Sequence, residues 1–195
     1  MVPSQISVRP KYVPLVQRPE CCAITCLQMV LYRRGNGLFD LEKLALFFDI
    51  RVHKDHLNSF NVRLRQLTSY NNDEGMKTVE SAGRVNAFFR KNKIKLTARP
   101  VKHSQIPNLA KFITENLASG HDLWVEYKAH EIHKNALSSA YIHDGLVESF
   151  NRQKNEVTLV DPDPRHKPRV RVPLVVLKDA ISARLGRETG FLVIE

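Results

Sequence analysis

No stretch of this sequence strings together the roughly 18 apolar residues that a membrane-spanning helix needs, and the opening MVPSQISVRPKYVPLVQRP has no apolar run of signal-peptide length. The expectation is a chain without a membrane span, either cytoplasmic or exported without a cleavable signal as an effector. Cysteine is scarce. Three residues cannot all pair within the chain, and Cys21 and Cys22 are adjacent, so no disulfide framework is expected and a reducing compartment fits. A paired CxxC is missing. His53-x2-His56 and His130-x2-His133 have ligand-like spacing, but His130-Glu131-Ile132-His133 falls one residue short of the HExxH pattern that places two imidazoles on one helix face, so no metal is predicted. Walker A and dinucleotide-binding glycine patterns are also missing, and no cofactor is expected.

What remains is a chain of 195 residues, 43% hydrophobic and 26% charged, long enough for one well-buried core and too short for two ordinary domains. The expectation is a single domain over 1–195, with 1–19 as an extended arm. Lys and Arg number 30 against 20 Asp and Glu, a net charge of +10 concentrated in FFRKNKIKLTARPVK (88–102) and PRHKPRVRV (164–172). That balance fits an acidic partner or a nucleic acid, and equally a solvated basic face, since no nucleic-acid module accompanies it.

Four prolines keep residues 1–19 from forming a helix. CCAITCLQMVLYRRG is apolar on nearly all sides and ends at basic residues before Gly35, which predicts a buried helix over 21–34. Asp40 caps a second helix in LEKLALFF. A third is expected within 57–69, a fourth over 79–91 and a fifth over 106–118. The second half reads as strands in KLTARPV, DLWVEYK, AYIHDGLVESF, EVTLVDP, RVRVPL and GFLVIE, with a helix over 173–185. Helices first and an antiparallel sheet afterwards make an α+β fold.

A cysteine at a helix N-terminus has its thiolate stabilised by unpaired N–H groups, and Cys21 and Cys22 both stand there. The thiol needs a proton acceptor. His143, inside a strand-like stretch, is the best candidate in the sequence, and Asp161, at the end of the next strand, can approach it across a hairpin. Asp163 is a weaker substitute for Asp161.

Gln17, then Cys22 in Q-x4-C-A-x2-C-L-x-M-V-L, then Y-x-His143 and V-x-L-V-Asp161-Pro, resembles the papain-like cysteine peptidases of the double-glycine leader peptidase type. The resemblance runs over the whole chain in order and spacing. It implies a papain-like fold, with a central nucleophile helix packed on a C-terminal antiparallel sheet. It also implies Cys22 as nucleophile, His143 as general base, Asp161 as its orienter and Gln17 in an oxyanion hole worth about 3 kcal/mol per donor. The substrate would be a peptide or isopeptide amide, cleaved through a thioester that water or an amine then resolves, as in a peptidase or a related acyl transferase. Three residues depart from the pattern: Cys21 precedes the nucleophile, Ala23 replaces a glycine, and Asp144 follows His143 where the family has an apolar residue. A catalytically silent papain-like domain that binds a nucleic acid or acidic partner through its basic segments is the alternative.

Overall fold

The structure is a computed structural model that describes residues 4–68, 75–134, 142–182 and 189–195. The proline-spaced arm runs extended and contributes one short strand, β1 (Gln5–Ser7). Helix α1 (Cys22–Arg33) follows, and every residue of it except Tyr32 is buried, which is why the segment is apolar around its full circumference. Charge ties down its far end. Arg33 Nε and Arg34 Nε each donate to one oxygen of the Asp122 carboxylate, at 2.6 and 2.7 Å, and Tyr12 Oη donates to the same carboxylate at 2.5 Å. Helix α2 (Leu41–Phe47) begins as its sequence signal requires, with the Asp40 carboxylate accepting from the Lys43 N–H at 2.8 Å.

The helix expected within 57–69 does not form in the described residues. A 3-10 turn covers Lys54–Ser59, and strands β2 (Arg51–His53) and β3 (Arg65–Leu67) pair in parallel around it. The physical reason lies in the spacing of Phe60, Val62 and Leu64, whose side chains alternate with exposed neighbours at the two-residue period of extended chain. Helix α3 (Ala82–Lys91), preceded by a 3-10 turn over Val79–Ser81, buries Val85, Phe88 and Phe89 as its stripe predicts. After β4 (Ala98–Lys102), Asn108 caps helix α4 (Leu109–Ala118) by accepting from the Lys111 N–H at 2.9 Å.

The remaining elements are β5 (Asp122–Lys128), the single turn α5 (Ala129–Ile132), β6 (Ile142–Asn151), β7 (Glu156–Val160), β8 (Arg169–Pro173), α6 (Leu174–Ser182) and β9 (Gly190–Ile194). All six expected strands are present, and α6 occupies the described part of 173–185. The main sheet runs β4-β9-β5-β6-β7-β8 with every neighbouring pair antiparallel, and β1 pairs with the far part of β6. Helices packed on an antiparallel sheet give the α+β class read from the sequence. No helix among the described residues is long and apolar enough to cross a membrane.

The register of β5 with β6 organises everything that follows. Trp124 pairs with Leu146, Val125 with Gly145, Glu126 with Asp144 and Tyr127 with His143. Successive side chains leave a strand on opposite faces. Trp124, Glu126 and Asp144 therefore share one face, and Tyr127 and His143 share the other.

Candidate active site

Cys22 is the first residue of α1, where the leading N–H groups have no partner inside the helix. Of the three cysteines it alone has measurable exposure, 7% against 0% for Cys21 and Cys26. Helix α1 packs on β6, and the Cys22 thiol donates to Asp144 Oδ2, with Sγ 3.3 Å away. The other oxygen, Oδ1, accepts from Thr78 Oγ1 at 2.5 Å and from Trp124 Nε1 at 2.9 Å. These two donors fix the carboxylate with Oδ2 turned toward the sulfur.

Burial, and after it the Asp144 carboxylate, pushes the Cys22 thiol well above the usual cysteine range. Asp144 is raised as well, because burial outweighs the bonds from Thr78 and Trp124 and the charge of His143. Cys21 is pushed up to about 12 by burial and by Glu20. Cys26 is also raised, by burial and then by Asp144 and Asp161, as suits a thiol sealed in the core.

His143 leaves the strand on the other face. Its Nε2 lies 2.7 Å from Asp161 Oδ1, and both side chains are fully buried. Burial alone would lower the imidazole, but the Asp161 carboxylate overrides it and the net shift is upward. Asp161 is held well below the ordinary carboxylate range despite burial, chiefly by the charge of His143, with the nearby His133 ring, the bond to His143 and the Asp163 N–H adding to it. Both shifts run in the direction that favours an imidazolium facing a carboxylate.

The sequence expectation places Cys22, His143, Asp161 and Gln17 in one constellation. The structure brings His143 and Asp161 together and brings Cys22 to Asp144. Among the described residues no hydrogen bond joins Cys22 Sγ to a ring nitrogen of His143. The alternation of β6 is the reason, since His143 and Asp144 are consecutive and only Asp144 faces α1. Gln17 comes close to the other half of the constellation, its N–H donating to the Pro162 carbonyl at 2.9 Å, while its Oε1 is buried with no hydrogen-bond partner among the described residues.

Sequence reasoning noticed Asp144 only as a departure from a pattern and did not single out Thr78 or Trp124. The signal available was the strand period itself, which sends Asp144 to the face opposite His143. It also passed over His166, whose Nδ1 lies 3.2 Å from Asp161 Oδ2, and set aside His133, whose Nε2 lies 2.8 Å from the same oxygen.

Neither a protein-family model nor a curated protein matches the chain. Solved structures do. A protein from Bacillus anthracis described as a C39-like peptidase superposes with a TM-score of 0.57 at 16% identity, over 96% of each chain. A double-glycine motif protease from an AMS/PCAT transporter, solved with its leader peptide, aligns with a TM-score of 0.42 at 13% identity, over 97% of this chain and 95% of that one. Low identity limits the first likeness to architecture, and in architecture it is plain: this chain has the papain-like α+β fold of a C39-like peptidase.

Proposed function

We propose that this chain is a cysteine hydrolase acting on a peptide or isopeptide amide, with Cys22 as nucleophile and Asp144 as the group that takes its proton. The observation that carries this reading is the 3.3 Å contact between Cys22 Sγ and Asp144 Oδ2 at the start of the central helix. A carboxylate whose pKa is raised by burial is a stronger proton acceptor than an ordinary one. As sulfur attacks the carbonyl carbon, the thiol proton passes to Asp144 Oδ2. The oxyanion that forms is met by the Cys22 N–H at the helix start and by the Gln17 amide. When the C–N bond breaks, Asp144 returns the proton to the leaving amine and a thioester remains on Cys22. Water then attacks the thioester while Asp144 accepts its proton, and the acid product departs as Cys22 regains its hydrogen.

The sequence-based assignment, with His143 as base and Asp161 as its orienter, makes the opposite demand on mutants. Acyl-enzyme formation with a peptide thioester, followed by intact-mass spectrometry, separates the two. With Asp144 as acceptor, Asp144→Asn slows acylation by about 10²- to 10⁴-fold and His143→Asn leaves it within a few-fold. Loss of acylation in His143→Asn with Asp144→Asn unaffected transfers the base role to His143. Retained acylation in Cys22→Ala ends both assignments.

A catalytically silent papain-like scaffold is favoured by one observation, the burial of the Cys22 side chain, which raises its thiol above the usual cysteine range. That reading expects no Cys22-dependent acyl-enzyme with any peptide thioester, at any pH at which the protein stays folded.

A further inference from the structure

The face of the sheet opposite Cys22 carries a cluster that the proposed hydrolysis does not use. His133, just past α5, and His166, on the loop after β7, converge on the carboxylate of Asp161. Their side chains are only 6% and 5% exposed. One ring nitrogen of each and an Asp161 oxygen all lie within 4.8 Å of one another. We infer that His133 Nε2, Asp161 Oδ2 and His166 Nδ1 form a binding site for a divalent metal ion of the zinc class.

The hydrogen bonds around the carboxylate divide it into two ends with different duties. Oδ1 is fully engaged, facing His143 Nε2 at 2.7 Å and accepting the Asp163 N–H at 2.8 Å. Oδ2 has the remaining groups around it, with His133 Nε2 at 2.8 Å, His166 Nδ1 at 3.2 Å and the Tyr127 hydroxyl at 3.3 Å. His133 Nε2 is the exception among them. It is buried and close, yet it makes no hydrogen bond, because its direction misses the oxygen. A buried ring nitrogen pressed near a carboxylate without bonding to it is the atom that a shared cation would satisfy.

The donor set points to the ion. Two imidazoles and one carboxylate with positions left open suit zinc and its neighbours, and do not suit calcium or magnesium, which take oxygen. The bond from His143 to Oδ1 holds the ligating carboxylate in place, the supporting role that outer partners play at metal sites. A second grouping, His143, Asp163 and His166, is equally compact but already committed elsewhere. Arg165 holds both oxygens of Asp163, at 2.9 and 2.5 Å, and His143 is engaged by Asp161.

One adjustment is required. The His133 and His166 rings stack with centroids 3.6 Å apart and planes 6° from parallel, so no single ion can lie in both ring planes. Binding turns one ring about its Cβ–Cγ bond and opens the three ligand atoms to the spacing set by metal bonds of about 2 Å. His166 stands on the loop between β7 and β8, outside any helix or strand, and is the ring placed to turn.

The test uses the full-length untagged protein, freed of metal with a chelator and titrated with Zn²⁺ by calorimetry and with Co²⁺ by visible spectroscopy. One equivalent of zinc is expected, with affinity falling at least about 100-fold in His133→Ala and in His166→Ala, since loss of a mere outer partner already costs 10- to 100-fold. His130→Ala and His56→Ala should bind as the wild type does. In ¹⁵N-histidine NMR spectra of the wild type, two of the eight histidines should shift on adding zinc, a readout that needs no variant to fold. The inference is overturned if no stoichiometric binding occurs, if sulfur-to-cobalt charge transfer shows a cysteine ligand, or if the shifting histidines are not His133 and His166.

Discussion

His143 and Asp144 are adjacent in sequence, yet they live in opposite chemical regimes. On the face toward α1, burial raises both the Asp144 carboxyl and the Cys22 thiol above their ordinary ranges. On the other face, at the same degree of burial, His143 is raised and Asp161 lowered, the directions in which an imidazolium and a carboxylate stabilise each other. The difference is one of pairing. A buried charge survives where a partner of opposite sign meets it with good geometry, and a buried acid beside a thiol has no such partner. Strand alternation, and not distance along the chain, decides which groups can react with one another.

The largest effect that should expose this contrast is on stability. Asp161→Ala strands the His143 imidazole in the core without its carboxylate, and denaturant unfolding should register a loss of about 3–5 kcal/mol. If the variant is as stable as the parent, the ion pair assigned to that face does not exist. On the other face Thr78→Val removes one of the two donors to Asp144 Oδ1, at an expected cost of about 1–3 kcal/mol in the same assay. The His143 ring resonances should stay in place in that variant, and their displacement would mean that the two faces are coupled.

Spectroscopy offers a subtler reading. Trp124 is the only tryptophan of the chain and its Nε1 donates to Asp144, so its emission should shift in Asp144→Asn and hold in His143→Asn. The smallest effect belongs to the surface. Arg171 on β8 is exposed, and Arg171→Gln should change stability by no more than about 0.5 kcal/mol and leave both faces untouched.

Much of the fold was legible because its signals are local. The apolar circumference of 22–33, the Asp40 cap and the β-branched runs of the second half each carry their structure in a few adjacent residues. The parallel pair β2 and β3 is hidden in the sequence because Leu57, Phe60, Val62, Leu64 and Leu67 contain both three-residue and two-residue steps, and nothing local decides between them. Strand β1 escaped because three residues between prolines have no pattern of their own and become a strand only through the edge that β6 offers them. The site was half legible. Asp161 meets His143 across a hairpin, a relation that register and turn length foretell. The contact of Cys22 with Asp144 spans 122 residues and depends on which face of β6 meets α1, a fact of packing that no local pattern encodes. The convergence of His133 and His166 on Asp161 is of the same kind, fixed by where two loops end.

The measurement that bears most directly on the central claim is the pH dependence of Cys22 alkylation by iodoacetamide, read by peptide mapping so that Cys21 and Cys26 are scored separately. A raised thiol pKa means that the thiolate, the reactive form, accumulates only as pH climbs past the ordinary cysteine range, so the rate in the parent should still be rising there. Removing the negative charge of Asp144 makes the thiolate easier to form. Asp144→Asn should therefore shift the profile to lower pH, and His143→Asn should leave it where it is. A profile that moves in His143→Asn and stands still in Asp144→Asn would contradict the account.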